Sequence, residues 1–399
     1  MALQTIPSST TPHRAHTLRK FRFNRPQQIA AVLLAILLAQ CLWVIQHDTL
    51  SDTDYSYVRC GREIWESPSP LAGYFTTCGN IHDGTLAYRA AGLPLTIQRI
   101  LAGQPSTTST WEMRHEISHV NLLLRLPFTF AALLLGACLW WVTRRLYGNT
   151  GGYIALGLYC FAPPIIAAAT TPNNEIWAAL GFFAAVYTAI GVAHALQGPK
   201  HKWRPRVILL TVIFGVLAAA HVAAFILALI FAVAFIAWVA ETRRAYLPTL
   251  LILWILGALF ILFASYAFHP DAYSYVFRSD AAKLGFSLQP ARALFASLPN
   301  AALTIAAAAA LALYAAMRRS RYFGNTAPLI VAALLLVLVT TGTPGQPRLW
   351  ALPFLLAFIG GVFADILETR YRRGFFWITG ALLLAQAALC LAGLPLLTQ

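Results

Sequence analysis

Charge is what this chain has least of. Only 11% of its 399 residues are Asp, Glu, Lys or Arg, where a soluble chain carries about 25%. Apolar residues make up 59% and the mean hydropathy is +0.65. So little charge excludes an ordinary soluble domain. Acids are scarcer still, 14 against 29 Lys and Arg, for a net charge of +15. In a soluble protein that surplus would suggest nucleic acid. Here the basic residues fall in clusters between apolar runs, the pattern of cytoplasmic membrane loops, and no nucleic-acid partner is expected. Internal repeats are lacking. The first apolar run has no small-residue cleavage site and reads as a signal anchor.

What is present is a series of long apolar runs. A spanning helix needs about 20 apolar residues, and in lipid its backbone must satisfy its own hydrogen bonds. The expected fold is therefore an all-α polytopic membrane protein with about eleven transmembrane helices. A basic tail, 1–27, precedes one transmembrane domain, 28–399. The spans fall near 29–46, 120–142, 152–169, 176–196, two within 207–239, 247–268, 301–317, 328–341, 349–366 and 375–397. Pro163-Pro164 should kink or end the third. The run 207–239 is too long for one crossing at about 1.5 Å per residue, and both its ends are basic. It must be a hairpin, with His221, its one ionisable residue, at or near the tip.

Placing the N-terminus in the cytoplasm puts 19 of the 29 basic residues inside, with only Glu241, Asp365 and Glu368 of the acids. The other eleven acids lie outside, largely in two long loops, 47–119 and 269–300. The first is long enough to contain surface helices. Cys41, Cys138, Cys160 and Cys390 lie in apolar runs and read as packing residues. Cys60 and Cys78 share the first outer loop, where an oxidising compartment would permit a disulfide.

Carboxylates beside a bilayer are costly and are usually paired or functional. The densest group is Ser51–Trp65, SDTDYSYVRCGREIW, with Asp52 and Asp54 one residue apart behind the first span. Such acids can act as general bases or hold a divalent metal. Glu175 opens the fourth span after a six-residue turn, where the helix dipole also favours an acid. Arg348, in GQPRLWALP at the outer start of a late span, can hold a lipid phosphate or snorkel to the interface. His115-Glu116-Ile117-Ser118-His119 is a literal H-E-x-x-H. On a helix its histidines share a face and can share a zinc, with Glu116 as base. A catalytic zinc needs a third protein ligand. The extended pattern would place one at 125, where the chain has arginine. A membrane zinc protease is thus one alternative. A non-enzymatic transporter of lipid-linked sugars is another, although ionisable groups at mid-bilayer, which that requires, are nearly absent.

Three stretches carry a resemblance. DYSYVRCGREIW from Asp54 is similar to an acid-and-tyrosine segment, which includes Tyr57, at the start of a first outer loop. RLPFTFAALLLGACLWWVTRRLYGNTGGYIALGLYCFAPPII, from Arg125, is similar to a span opening on R-L-P, an R-R-L-Y-G turn and an apolar span ending in proline. GQPRLWALPFLLAFIGG, from Gly345, is similar to a P-R-Y-x-x-P segment. Together the chain resembles the GT-C membrane glycosyltransferases, in the bacterial branch of protein O-mannosyltransferases and the lipid A aminoarabinose transferase.

The resemblance implies an inverting transferase at the outer face of the bacterial inner membrane. It would take a sugar from a polyprenyl-phosphate donor to a glycan, lipid or protein acceptor. The first-loop acid would be the base, matching Asp54 best, with Asp52 supporting it or binding metal. Positive charge from arginine or a divalent metal would stabilise the phosphate leaving group. The chain departs from the family pattern in three places. The adjacent Asp-Glu pair is replaced by Asp52-Thr53-Asp54. The acid after the third span is replaced by Asn173-Asn174-Glu175. At the later hairpin His221 stands where lysine is common. Substrate-binding roles fall by the same resemblance to Tyr57, Asn174, Glu175, His221 and Arg348.

Overall fold

The computed structural model describes residues 24–66, 84–103, 117–198, 200–239, 241–266, 268, 271–278, 284–340, 346–369 and 372–398. In chain order the helices are α1 (Arg25–His47), α2 (Asp52–Glu66), α3 (Leu86–Leu101), α4 (Ile117–Cys160), α5 (Pro163–Thr170), α6 (Glu175–Leu196), α7 (Lys200–Ala220) and α8 (Val222–Val239). They continue with α9 (Leu247–Ser265), α10 (Asp271–Arg278), α11 (Gln289–Ala296), α12 (Ala301–Ala316), α13 (Phe323–Val337), α14 (Gln346–Leu367) and α15 (Arg372–Gly393).

Among the described residues nine helices are long and apolar enough to cross a membrane. One of them, α4, is two crossings. Gly148 has φ 75°, a conformation open chiefly to glycine, and turns the chain back. Across the fold Tyr159 O–H donates to the Ala132 carbonyl at 2.7 Å. Adding the shorter apolar α13 gives the eleven segments that the sequence implies.

Two sequence signals act as expected. The third span stops at Cys160, and α5 starts with Pro163 at its first position. Pro164 has no N–H for the Cys160 carbonyl, so buried side chains from the first and last helices satisfy the break. Gln40 Nε2 donates to Cys160 O at 3.1 Å. Gln386 Nε2 donates to Phe161 O at 2.8 Å and Pro299 O at 3.0 Å, while its oxygen accepts Leu303 N–H at 2.9 Å. The run 207–239 is a hairpin with His221 between α7 and α8. Phe214 and Phe225 rings meet at 5.8 Å across it, and Gln197 Nε2 reaches Val239 O at 3.2 Å.

One expectation fails at a boundary. The sequence predicts a ninth span near 328–341, but the helix ends at Val337. Leu338–Thr340 instead pairs antiparallel with Leu284–Phe286. The β-branched run Val337, Val339, Thr340 suits extended backbone better than a helix end.

The centre of the bundle is α14, whose residues from Leu349 to Ala364 are all buried. A helix that is apolar all round belongs in a core. It packs on α4 where a Cβ on Gly360 would lie 2.7 Å from Gly151 O. Cys60 is disulfide-bonded, while Cys41, Cys138, Cys160 and Cys390 are free. Cys78 lies outside the described residues.

Candidate active site

The long first loop, 47–119, contains α2 and α3, and α2 carries the paired acids. Ser51 caps it. Asp54 N–H donates to Ser51 Oγ at 3.2 Å, and Ser51 N–H donates to Asp54 Oδ2 at 3.0 Å. This is a capping box with Asp in the place of Glu. It fixes the Asp54 carboxylate at the helix start, where the dipole favours negative charge.

The same oxygen takes a second group. Arg125, near the start of α4 and 1% exposed, donates from Nη2 to Asp54 Oδ2 at 2.9 Å. Its Nη1 donates to Asp48 Oδ2 at 2.6 Å, and Nη2 also reaches Thr49 O at 3.2 Å. Four residues back, Asn121 Nδ2 donates to the carbonyls of Ile45 at 2.8 Å and Asp48 at 3.1 Å. The end of α1, the cap of α2 and the start of α4 therefore meet on one guanidinium. Two carboxylates share it, leaving one net negative formal charge. Asp54 Oδ1 makes no hydrogen bond among the described residues.

The other end of α2 is also held. Glu66 pairs with Arg62 at 3.1 Å and with Arg99 of α3 at 3.1 Å, and accepts Thr96 O–H at 3.2 Å. Between these anchors the two helices touch backbone to backbone, since a Cβ on Gly61 would lie 2.5 Å from Tyr88 O. Tyr57 stacks on Tyr88 at 4.2 Å in this layer. On the exposed side, burial raises the Glu63 carboxyl above its ordinary value, and the Arg59 guanidinium opposes that rise.

The remaining candidates lie at the same end of the bundle but are differently employed. Asn174 is buried, and its carboxamide secures the start of α3: Ala87 N–H donates to Oδ1 at 3.1 Å, and Nδ2 reaches Gly84 O at 3.5 Å. Glu175 follows as the first residue of α6, with its N–H on Asn173 Oδ1 at 2.9 Å. Gly84, at φ 80°, lies against the hairpin tip, where a Cβ would be 2.3 Å from Ala219 O. His221 is buried at that tip, edge-on to Trp350 at 4.9 Å. Two residues before Trp350, Arg348 is half-buried and makes no hydrogen bond or ion pair among the described residues. Asp52 is exposed.

His115 and Glu116 lie outside the described residues, as does the side chain of His119. Among the described residues no group of three His, Cys, Asp or Glu is placed to hold a metal.

The geometry can be set beside known proteins. No family model and no curated protein sequence matches the chain. Solved structures do. ArnT from Cupriavidus metallidurans in the apo state matches at TM-score 0.60 and 12% identity, over 94% of this chain and 76% of ArnT. The same protein bound to undecaprenyl phosphate matches at TM-score 0.61 and 14% identity, over 92% and 75%. The fold is that of the GT-C membrane glycosyltransferases. The Archaeoglobus fulgidus oligosaccharyltransferase, in complex with Zn and sulfate, shares the GT-C architecture at TM-score 0.54 and 14% identity, over 90% of this chain. This chain spans about half of that enzyme, 53%. At these identities the likeness is one of fold, and the GT-C resemblance of the sequence is met at that level.

Within the GT-C fold, sequence reasoning missed Asp48 and the place of Arg125. A signal for Arg125 was present: an arginine next to an apolar run on the acid-rich side needs a counter-charge. Asp48 offered only one acid after a span.

Proposed function

We propose that this protein is an inverting membrane glycosyltransferase acting on a polyprenyl-phosphate sugar at the outer face of the bacterial inner membrane, with its N-terminus in the cytoplasm. The fold likeness to ArnT, seen with undecaprenyl phosphate, supports the donor class. The observation that carries the reading is Asp54: one carboxylate oxygen locked by Ser51 and Arg125, the other without a hydrogen bond among the described residues, at the start of the first outer loop.

Asp54 Oδ1 accepts the proton of the acceptor hydroxyl as the acceptor oxygen attacks the anomeric carbon. The bond from that carbon to the phosphate oxygen breaks, its electron pair leaves with the polyprenyl phosphate, and the configuration inverts. Oδ2 stays on Arg125, so the carboxylate is held in orientation while its partner oxygen changes protonation. Asp48 and Arg125 are positioning residues. Arg348 supplies positive charge to the leaving phosphate. Tyr57 and Asn174 act by holding α2 and α3 in place, and Glu175 and His221 line the same end of the bundle. Asp52 is a supporting acid, on the exposed face where a divalent cation would be met first.

The test is mass spectrometry of cell-envelope glycans in cells lacking the gene, complemented with wild type or Asp54→Asn. Wild type restores a missing sugar, and Asp54→Asn lowers transfer by about 10²–10⁴-fold, the usual share of a general base. An unchanged glycan profile on deletion overturns the transferase reading. Full activity of Asp54→Asn overturns the base assignment alone. Loss of transfer on adding a chelator assigns leaving-group stabilisation to a metal instead of Arg348.

A further inference from the structure

The end of the bundle opposite Asp54 carries a second arrangement of arginines that sugar transfer does not use. The first crossing of α4 closes on Trp140-Trp141-Val142-Thr143-Arg144-Arg145. Each indole is one helical turn from an arginine, and side chains four apart on a helix lie one above the other. Both pairs stack. The Arg144 guanidinium carbon lies 5.0 Å from the Trp140 ring centroid, and that of Arg145 lies 5.4 Å from the Trp141 centroid.

A guanidinium set over an aromatic face is attracted to it and keeps its in-plane N–H fork open for another partner. Neither Arg144 nor Arg145 makes a hydrogen bond or ion pair among the described residues. Trp140 is buried and anchors the inner pair, while Trp141 is 57% exposed and presents the outer pair at the bundle surface. A third cation comes to the same level. The α1 and α4 helices run antiparallel, with Leu34 against Gly136 and Asn121 on Ile45 O. An equal step from Leu34 and Gly136 along each helix arrives at Arg25, which is exposed, and at Arg145.

We propose that Arg144 and Arg145, with Arg25 at the same level on α1, hold the headgroup phosphate of an anionic phospholipid in the leaflet that this end faces. The argument is charge complementarity combined with preorganisation. Indoles suit the boundary between acyl chains and headgroups. The stacked arginines have already given up much of the side-chain freedom that binding would otherwise cost. A planar fork matches a phosphate bidentately, which a lysine ammonium does not. The basic surface expected on any cytoplasmic face makes a weaker demand, since any cation in any orientation would serve it.

Native mass spectrometry of the purified full-length protein tests this, after equilibration with equal amounts of phosphatidylglycerol and phosphatidylcholine. Wild type retains phosphatidylglycerol preferentially. Arg144→Lys with Arg145→Lys keeps the charge but loses the fork and the stack, and lowers that preference roughly tenfold. Arg318→Gln removes an exposed cation elsewhere on the same end and leaves the preference intact. Equal retention by the lysine variant, or an equal loss with Arg318→Gln, reduces the effect to bulk charge and overturns the proposal. If the lysine variant does not fold, Trp141→Leu leaves both arginines in place and is expected to lose several-fold of the preference. No change in that variant also overturns it.

Discussion

Arg125 and Asp54 stand 71 residues apart in the chain and 2.9 Å apart in space. The contact joins the first turn of the loop helix α2 to the start of the membrane-crossing α4. It is nearly closed to solvent, with the two side chains 1% and 7% exposed.

Removing the arginine therefore strands two carboxylates. Arg125→Met is expected to cost about 3–5 kcal/mol, the range for breaking a buried ion pair from one side. Thermal unfolding in detergent measures it. Asp54→Asn in the same chain should return part of the loss, because the stranded charge is gone. Strictly additive effects would show that the pair is not coupled.

Asp52 offers the contrast. It is exposed at the first position of α2, where its interaction with the helix dipole is worth about 0.3–1 kcal/mol. Asp52→Asn should lower stability by no more than that. A larger loss would mean that it has a partner beyond the helix end.

The layer formed by α2 and α3 depends on two glycines. A Cβ on Gly92 would lie 2.1 Å from the Gly61 backbone. Gly92→Ala must push the helices apart, at about 1–3 kcal/mol for overpacking. It should also displace Asp54 from Arg125 and reduce transfer. Gly380→Ala, which meets nothing within 4 Å, is the control and should be silent in both thermal unfolding and activity.

The two glutamines at the Pro163-Pro164 break rank by how many backbone groups they satisfy. Gln386→Leu orphans Phe161 O, Pro299 O and Leu303 N–H. Gln40→Leu orphans mainly Cys160 O. With about 1–3 kcal/mol for each buried group left unmade, Gln386→Leu should be clearly the more destabilising in a melting experiment. The reverse order would mean that the break relaxes around α15 but not around α1.

Much of this protein was determined by sequence alone, because the signals involved are local. Long apolar runs must become helices in lipid, prolines without N–H groups must end one, and a doubled run with basic ends must fold back at His221. The acid-rich start of α2 was legible for the same reason: carboxylates beside a span are costly wherever the chain goes. What tertiary structure alone decided is which groups meet. Arg125 could have snorkelled to the interface. The packing of α1 against α4 instead turned it onto Asp48 and Asp54. Asn174 and Tyr57, candidates for substrate by the resemblance, are engaged in holding α3 and α2. Gln40 and Gln386 sit in apolar runs with nothing nearby in sequence to say that they face one helix break. A side chain's chemistry is carried in the sequence, but its partner is set by the register of helices packed far apart along the chain. In this chain that register leaves one oxygen of Asp54 held by Ser51 and Arg125, and the other without a hydrogen bond among the described residues.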